Sequence, residues 1–446
     1  MLNCDRRGYW VMKKSWRMLL AMLLVTAMMF SAGCGGSADT GGGADSGGEP
    51  GKAAEVSFSY WGGDFDKARM EKIYEEFKKV HPEIKVNLIQ IPSDGYEQKQ
   101  LATMAAGNPY DVVQLAESFY SYASKGTLED LTPYLERDGI DTSDYYDAAI
   151  RAYSYQDKVM AMPMRMGTMI LLYNKNLFDQ HGLQYPSDEW TWDDFYAAAK
   201  TITDPKNSIF GLGGVGSWWA SYQTWVYSYG GSLLSEDRTQ FTLDSPEAKK
   251  AIQTIQDMIW KDNIAPQASQ LLQGVDMWTS GKVGMIIDGP WHILSSQANI
   301  KDFDWDIAPV PKGAKEASPL FSNAFAIPKL SKNKEAAWEV VKFWTGETGQ
   351  KILAAEHGEI PPLKSVAESD AYLNIGDNPP ANFKSQLTSA QRAFAPQATV
   401  KWDEINRAAD TYLGQIFNEQ RSVDDALAEM KIEVDRLLEE AKQLEQ

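Results

Sequence analysis

The residues of this 446-residue chain with most chemistry to offer are tryptophans beside glycines or at the ends of apolar runs. Trp291 follows Val283-Gly-Met-Ile-Ile287, a short β-branched run stopped by Asp288-Gly289-Pro290. That pattern predicts a buried strand, a turn, and a helix with Pro290 in its first turn. Trp61 closes the alternating run Val56-Ser-Phe-Ser-Tyr60 and precedes Gly62-Gly63, while Trp218 and Trp219 follow the glycine-rich Gly211–Gly216. An indole face stacks on the C–H patch of a pyranose, and the ring's hydroxyls need planar polar partners. Asp64, Glu117, Asp288 and Asn323 are predicted to supply them, because carboxylates and amides offer paired hydrogen-bonding atoms. The competing role for any one tryptophan is core packing. Trp260, Trp338 and Trp344, on predicted helix faces, are assigned to it.

Other chemistries find little support. The four histidines are scattered without metal-ligand spacing, so no metal site is predicted. Thr191-Trp-Asp-Asp194 reads as a capping box rather than a pair of working acids. Gly211-Leu-Gly-Gly-Val-Gly216 matches GxGxxG but sits mid-chain with only Ile209-Phe210 before it, which is not the opening of a dinucleotide-binding unit. Gly274…Gly281-Lys282-Val283 lacks the spacing and the Ser/Thr of a phosphate-binding loop. No cofactor and no ATPase are expected.

The elements that position these residues read as α/β. Strand, helix, strand, helix, strand over Val56–Tyr60, Met70–Val80 (opened by Asp66 as cap), Val86–Ile91, Tyr96–Ala106 and Asp111–Leu115 predicts a parallel doubly wound lobe. Trp61 and Glu117 then fall at the carboxyl ends of strands, where open α/β sheets hold ligands. Met169–Tyr173 starts a second set of elements. Ser245-Pro-Glu247 opens a helix, and Ser422-Val-Asp-Asp425 opens the last.

Residues 1–33 read as a secretory signal: Arg6, Arg7, Lys13, Lys14 and Arg17 precede the apolar run Met18–Phe30 and small residues. Ser31-Ala-Gly-Cys34 resembles a bacterial lipobox, departing from it at Ser31 where leucine is commonest, and implies lipidation of Cys34. Residues 34–54, rich in Gly, Ser and Asp, read as a flexible tether. With both cysteines thus accounted for, the body has no disulfide. Removing the signal's five basic residues and one acid takes the formal net charge from −18 to −22. Such a surface argues against nucleic acid and against a polybasic membrane patch.

Ser280-Gly-Lys-Val-Gly-Met-Ile-Ile-Asp-Gly-Pro-Trp291 resembles the signature of family 1 extracellular solute-binding proteins, the capture subunits of ABC importers for sugars. Three further stretches follow suit: Tyr173-Asn-Lys175 with Trp190–Phe195, Ala326–Trp338, and Gly358-Glu-Ile-Pro-Pro362. The resemblance covers about residues 55–440. It implies a two-lobed, periplasmic-binding-protein-like α/β fold of type II with a hinge. The N-terminal lobe would comprise 55–165 and 310–347, and the C-terminal lobe 166–309 and 348–446. The implied chain crossings lie near Pro163–Gly167, Asp306–Pro311 and Thr345–Gly349. It places Trp291 in a sugar site and adds Trp402, similar to the family's carboxy-terminal cleft aromatic. The implied partners are a sugar or oligosaccharide, two permease subunits with their ATPase, and the membrane, through the lipid anchor of a monomer on the extracytoplasmic face. The alternatives are a polyamine or organic phosphate as solute, or a carbohydrate-active enzyme with two working carboxylates.

Overall fold

The computed structural model describes residues 54–271, 275–316, 318–376 and 379–444. The predicted signal, Cys34 and the tether up to residue 53 lie outside the described residues, and Ala54 already belongs to the first strand. In chain order, β1 (Ala54–Trp61), α1 (Asp64–Val80), β2 (Ile84–Ile91), α2 (Tyr96–Ala105), β3 (Val112–Leu115) and α3 (Phe119–Ser124) alternate as the sequence predicts. β1 pairs in parallel with both β2 and β3. Helix α1 buries Met70, Ile73 and Phe77, one stripe of its 3.6-residue period. Asp66 is not its N-cap. Gly63 holds that place, and Asp66, three residues on, accepts the Gly63 N–H at 2.9 Å.

The second half of the fold begins after β4 (Ala161–Thr168), with β5 (Ile170–Asn174), α4 (Trp192–Ile202), β6 (Phe210–Leu212) and α5 (Trp219–Ser228). It continues through β7 (Val283–Asp288), α6 (Trp291–Asn299), β8 (Trp305–Pro309), β9 (Ser318–Ala326), α7 (Lys334–Thr345), α8 (Glu347–Ala354), α9 (Trp402–Phe417) and α10 (Val423–Leu444). The Thr191 capping box forms: Thr191 Oγ1 accepts the Asp194 N–H, and Asp194 accepts the Thr191 N–H at 2.9 Å.

Two sheets result. The first runs β9–β3–β1–β2, with β9 antiparallel to β3 and also to β4. The second runs β8–β5–β7–β6, antiparallel except for the β6–β7 pair. The chain passes from the first sheet to the second at Met169 and returns between Pro309 and Ser318. Pro163–Gly167 and Asp306–Pro309 therefore lie inside strands, and each change of sheet falls just beyond them. The α7–α8 junction, Thr345–Glu347, is not a change of sheet, since α8 packs on α1 and α7 beside the first sheet. Two sheets joined by such crossings make a two-lobed α/β fold with a hinge between the lobes.

The glycines of Gly211–Gly216 have a packing role. A Cβ on Gly211 would lie 2.0 Å from the backbone oxygen of Ala199 in α4, and one on Gly213 would lie 2.5 Å from the Ile286 side chain. These glycines let the short β6 press against α4 and β7. Gly211→Ala is expected to destabilise the fold by about 1–3 kcal/mol through overpacking. Urea denaturation would register a lower midpoint with an unchanged slope, and an unchanged midpoint would mean that α4 yields at no cost.

Candidate ligand-binding site

Strands β4 and β9, paired in the first sheet and each next to a change of sheet, form the floor of the candidate site. Their register pairs Arg165 with Asn323 and Gly167 with Phe321, two successive pairs on one face of the ribbon. One pair is polar and the other aromatic.

At the polar pair, the buried Arg165 donates through Nε to Asn323 Oδ1 at 2.6 Å. Its Nη1 reaches Asp66 at 2.6 Å and Glu359 at 2.8 Å. Arg69, also buried, donates to Glu356 at 2.6 Å and to Glu359 at 3.3 Å. Burial by itself would raise the Asp66 carboxyl, but Arg165 and Arg69 outweigh it and hold it below the usual range. Burial likewise raises Glu356, with Arg69 pulling the other way. Two guanidinium groups thus face three carboxylates contributed by α1 and by the loop after α8.

At the aromatic pair, a Cβ on Gly167 would lie 2.6 Å from the Phe321 ring and 3.1 Å from Pro290. Phe321 fills the space that a side chain at 167 would take. Its ring lies 5.1 Å from that of Trp291 and 6.0 Å from that of Trp218, which are 5.7 Å apart. Trp291 opens α6 and folds back over Gly289, whose Cβ would meet the indole at 2.2 Å. Behind this trio Trp219 stands edge-on to Trp218 at 5.9 Å and to Trp402 at 5.4 Å. Trp218 and Trp291 remain 39% and 38% exposed, whereas Trp219 and Trp402 are buried. The buried indoles back the exposed ones and present no face of their own. Contiguous exposed aromatic surface of this kind is a candidate place for a partner.

A third group lies where α3 meets α9. Glu117, just past β3, Asp403, beside Trp402, and Glu97 in α2 influence one another electrostatically. Burial pushes the Glu117 carboxyl up to about 7, although its own N–H and that of Ser322 donate to it. Burial, aided by Glu97, brings Asp403 to about 6. Glu97 accepts from Ser118 at 2.8 Å and Tyr122 at 2.6 Å, yet burial still raises it. Glu117 also lines a cavity of about 410 Å³ with Tyr120, Tyr153, Arg238 and Ser322.

The sequence-derived candidates thus separate. Trp218, Trp291, Trp219 and Trp402 form one continuous set of indoles. Asn323 belongs to the Arg165 network, and Glu117 to the carboxylate group. Trp61 ends β1 half-buried, its ring edge-on to Tyr96 at 4.9 Å, and Asp64 is exposed at the start of α1. Asp288 is engaged locally, accepting the Gly289 N–H at 2.7 Å and pairing with His292 at 3.0 Å. Sequence reasoning did not single out Arg165, Asp66, Glu359, Phe321 or Asp403, which the structure adds to the candidate site. A single arginine within the apolar run Met162-Pro-Met-Arg-Met166 was the available signal, since a charge in a buried strand requires partners.

These shifts carry a pH dependence. Because Glu117 and Asp403 have folded-state values above the ordinary carboxylate range, these two groups hold their protons in the native state to higher pH than in the unfolded chain. Their contribution is fully present below the ordinary range and is lost as pH rises through about 6 to 7. Asp66, held low, has the opposite sign and loses its contribution only in more acidic solution. Glu117→Gln is therefore expected to raise the melting temperature at pH 8, with little change at pH 5, and to flatten the profile between them. Parallel melting curves for wild type and variant at every pH would contradict the assignment.

The chain and its fold are similar to known proteins. The family described as bacterial extracellular solute-binding protein matches residues 62–351. A galactooligosaccharide-binding protein of Bacillus subtilis (strain 168) is 26% identical over 372 residues, 76% of this chain and 85% of that protein. An ABC substrate-binding protein from Listeria monocytogenes, solved in complex with cycloalternan, superposes with a TM-score of 0.81 at 27% identity, covering 86% of this chain and 99% of that one. A maltose-bound protein of T. maritima shares the fold at a TM-score of 0.76 and 23% identity, over 86% of this chain and 100% of that one. The matched span, well over half of the chain, includes the β4–β9 floor and Trp218, Trp219 and Trp291, and the chain belongs to the bacterial extracellular solute-binding proteins, with their two-lobed type II fold.

Proposed function

We propose that this protein captures a sugar or oligosaccharide outside the cell and delivers it, unchanged, to the permease of an ABC importer. The observation that carries this reading is the wall of exposed Trp218 and Trp291 against half-buried Phe321, which shares a ribbon face with the Arg165–Asn323–Asp66–Glu359 network. Aromatic faces suit the apolar side of a pyranose. Preset carboxylates, an amide and guanidinium groups suit its hydroxyls. Closure of the lobes about the Met169 crossing would exclude water and strengthen each polar contact. The lobes are taken as built on the two sheets, close to the division into 55–165 with 310–347 and 166–309 with 348–446, except that α8 and the loop after it stay with the first.

Relatives support the ligand class: one is named for binding galactooligosaccharides, another was solved with cycloalternan. Glu97, Glu117 and Asp403 make the neighbourhood acidic, which disfavours an organic phosphate or any other anion. The same carboxylates favour a second reading, a cationic solute such as a polyamine. Two carboxylates of raised affinity for protons also suit general acid–base work, the glycosidase alternative, but the shown family is one of binding proteins. Calorimetry against neutral sugars, a sugar phosphate and a polyamine separates these readings, and chromatography of the recovered ligand shows whether it was cleaved. Affinity for neutral sugars with intact recovery is expected.

Trp291→Ala and Trp218→Ala should each lower sugar affinity by roughly tenfold or more, corresponding to about 1–3 kcal/mol for a lost stacking face. Full affinity in both variants, with folding intact, would return these residues to a packing role.

Within this reading the protein is a monomer held at the extracytoplasmic face of the cell membrane by lipid on Cys34. The lipobox-like Ser31–Cys34 and the tether behind it support that anchor. Cys34→Ala is expected to move the protein from the membrane fraction to the soluble one. Unchanged fractionation would overturn the anchor.

A further inference from the structure

The lobes touch where α3 of the first meets α9 of the second. Tyr120 in α3 packs against the core of its own lobe and also against that of the other. Its ring lies 5.7 Å from the Arg238 guanidinium, which the hairpin from Leu234 to Phe241 carries across from the second lobe. Beside this contact, acids come from both sides. Glu97 in α2 and Glu117 belong to the first lobe, and Asp403 lies in the first turn of α9. Glu97 is oriented by Ser118 and Tyr122, and the Ser322 N–H donates to Glu117. Among the described residues no donor reaches the Asp403 carboxylate. Arg407, one turn on, and Lys125 at the end of α3 act on it only from a distance, and Lys125 donates to Ser121 at 3.1 Å. Lys401 is engaged by Glu440 of α10 at 3.0 Å and by Glu404 at 3.5 Å. Arg151 and Arg238 line the cavity beside Glu117. The helix Pro246–Trp260 meets the far end of α9 through neutral Gln256 and Trp260. The contrast is with Asp66, Glu356 and Glu359, which all have arginine partners. Like charges brought together out of water repel unless one of them takes up a proton.

We propose that this contact is a proton-operated latch: closing the lobes brings Asp403 against Glu97 and Glu117, so closure, and sugar capture with it, takes up protons. The latch rests on the sugar reading above and adds a regulation to it. Glu117 stands just past β3, on the ligand edge of the sheet, so opening the lobes at that edge parts α3 from α9 and returns the acids to water. In the closed form burial and mutual repulsion hold Glu117 at about 7 and Asp403 at about 6, whereas in water both return toward the ordinary carboxylate range. The advantage of the closed form is therefore fully present in acidic solution and is lost as pH rises through about 6 to 7. By reciprocity, a sugar that selects the closed form raises the affinity of these acids for protons.

The test is calorimetry of the tightest-binding neutral sugar between about pH 5.5 and 8 at constant ionic strength, on wild type, Asp403→Asn, Glu97→Gln and Trp291→Ala. Wild-type affinity should fall roughly tenfold over that range, which corresponds to about one pKa unit of displacement on closure. Binding near neutral pH should take up protons, read as an enthalpy that varies with the ionisation heat of the buffer. Asp403→Asn and Glu97→Gln should each flatten the pH profile and reduce the uptake, and the Gln amide oxygen can still accept from Ser118 or Tyr122. Trp291→Ala should bind more weakly at every pH but keep the wild-type slope. A wild-type affinity independent of pH, binding without proton uptake, or a wild-type slope in both acid variants would each overturn the latch while leaving the sugar reading intact. A wild type that binds no sugar at any pH would remove that reading, and the latch with it.

Discussion

Arg165 is the constraint around which the cleft is built. A guanidinium inside a strand costs far more than an exposed one unless its donors are met. Here they are met by groups from three separate parts of the chain: Asn323 on the partner strand, Asp66 in the first turn of α1, and Glu359 after α8. Satisfying one arginine therefore fixes the start of α1 and the loop after α8 against the floor of the cleft. Arg69 extends the same network to Glu356. Removal of a partner from such a network leaves an uncompensated charge, so its geometry is held more tightly than a surface ion pair would be. That rigidity is what a binding site needs, because groups already in place lose little freedom when a ligand arrives.

The aromatic wall depends on the same ribbon. Gly167, two residues beyond Arg165, makes room for Phe321, and Phe321 meets Trp218 and Trp291 from the other sheet. Two lobes thus contribute to one apolar surface, while buried Trp219 and Trp402 keep Trp218 from collapsing into the core. Glycines at 167 and 289 are what allow large rings to lie close to backbone.

Much of the fold was legible in the sequence, because alternation and 3.6-residue periodicity are local. The first five elements, the Thr191 capping box and the Pro290–Trp291 strand-to-helix turn follow from short stretches. The change of sheet was placed slightly early, because Pro163–Gly167 and Met169–Tyr173 are both apolar and extended, and periodicity does not show which sheet a strand joins. The candidate site was legible only in part. Trp218 and Trp291 stood out by residue type and setting. Arg165, Asp66 and Glu359 did not, since their pairing spans 99 to 194 residues and no local pattern encodes it. Asp288 illustrates the converse: a carboxylate at a promising position can be occupied with its own turn, as it is with Gly289 and His292.

The most direct measurement is a crystal structure with the tightest-binding sugar of the calorimetric series. A sugar ring lying face-on to Trp218 and Trp291, with hydroxyls within hydrogen-bonding distance of Asn323, Asp66 or Glu359, is the predicted result. A ligand bound away from these residues would contradict the account; one place for it is the cavity of about 1050 Å³ lined by Tyr155, Arg238, Thr399 and Lys431.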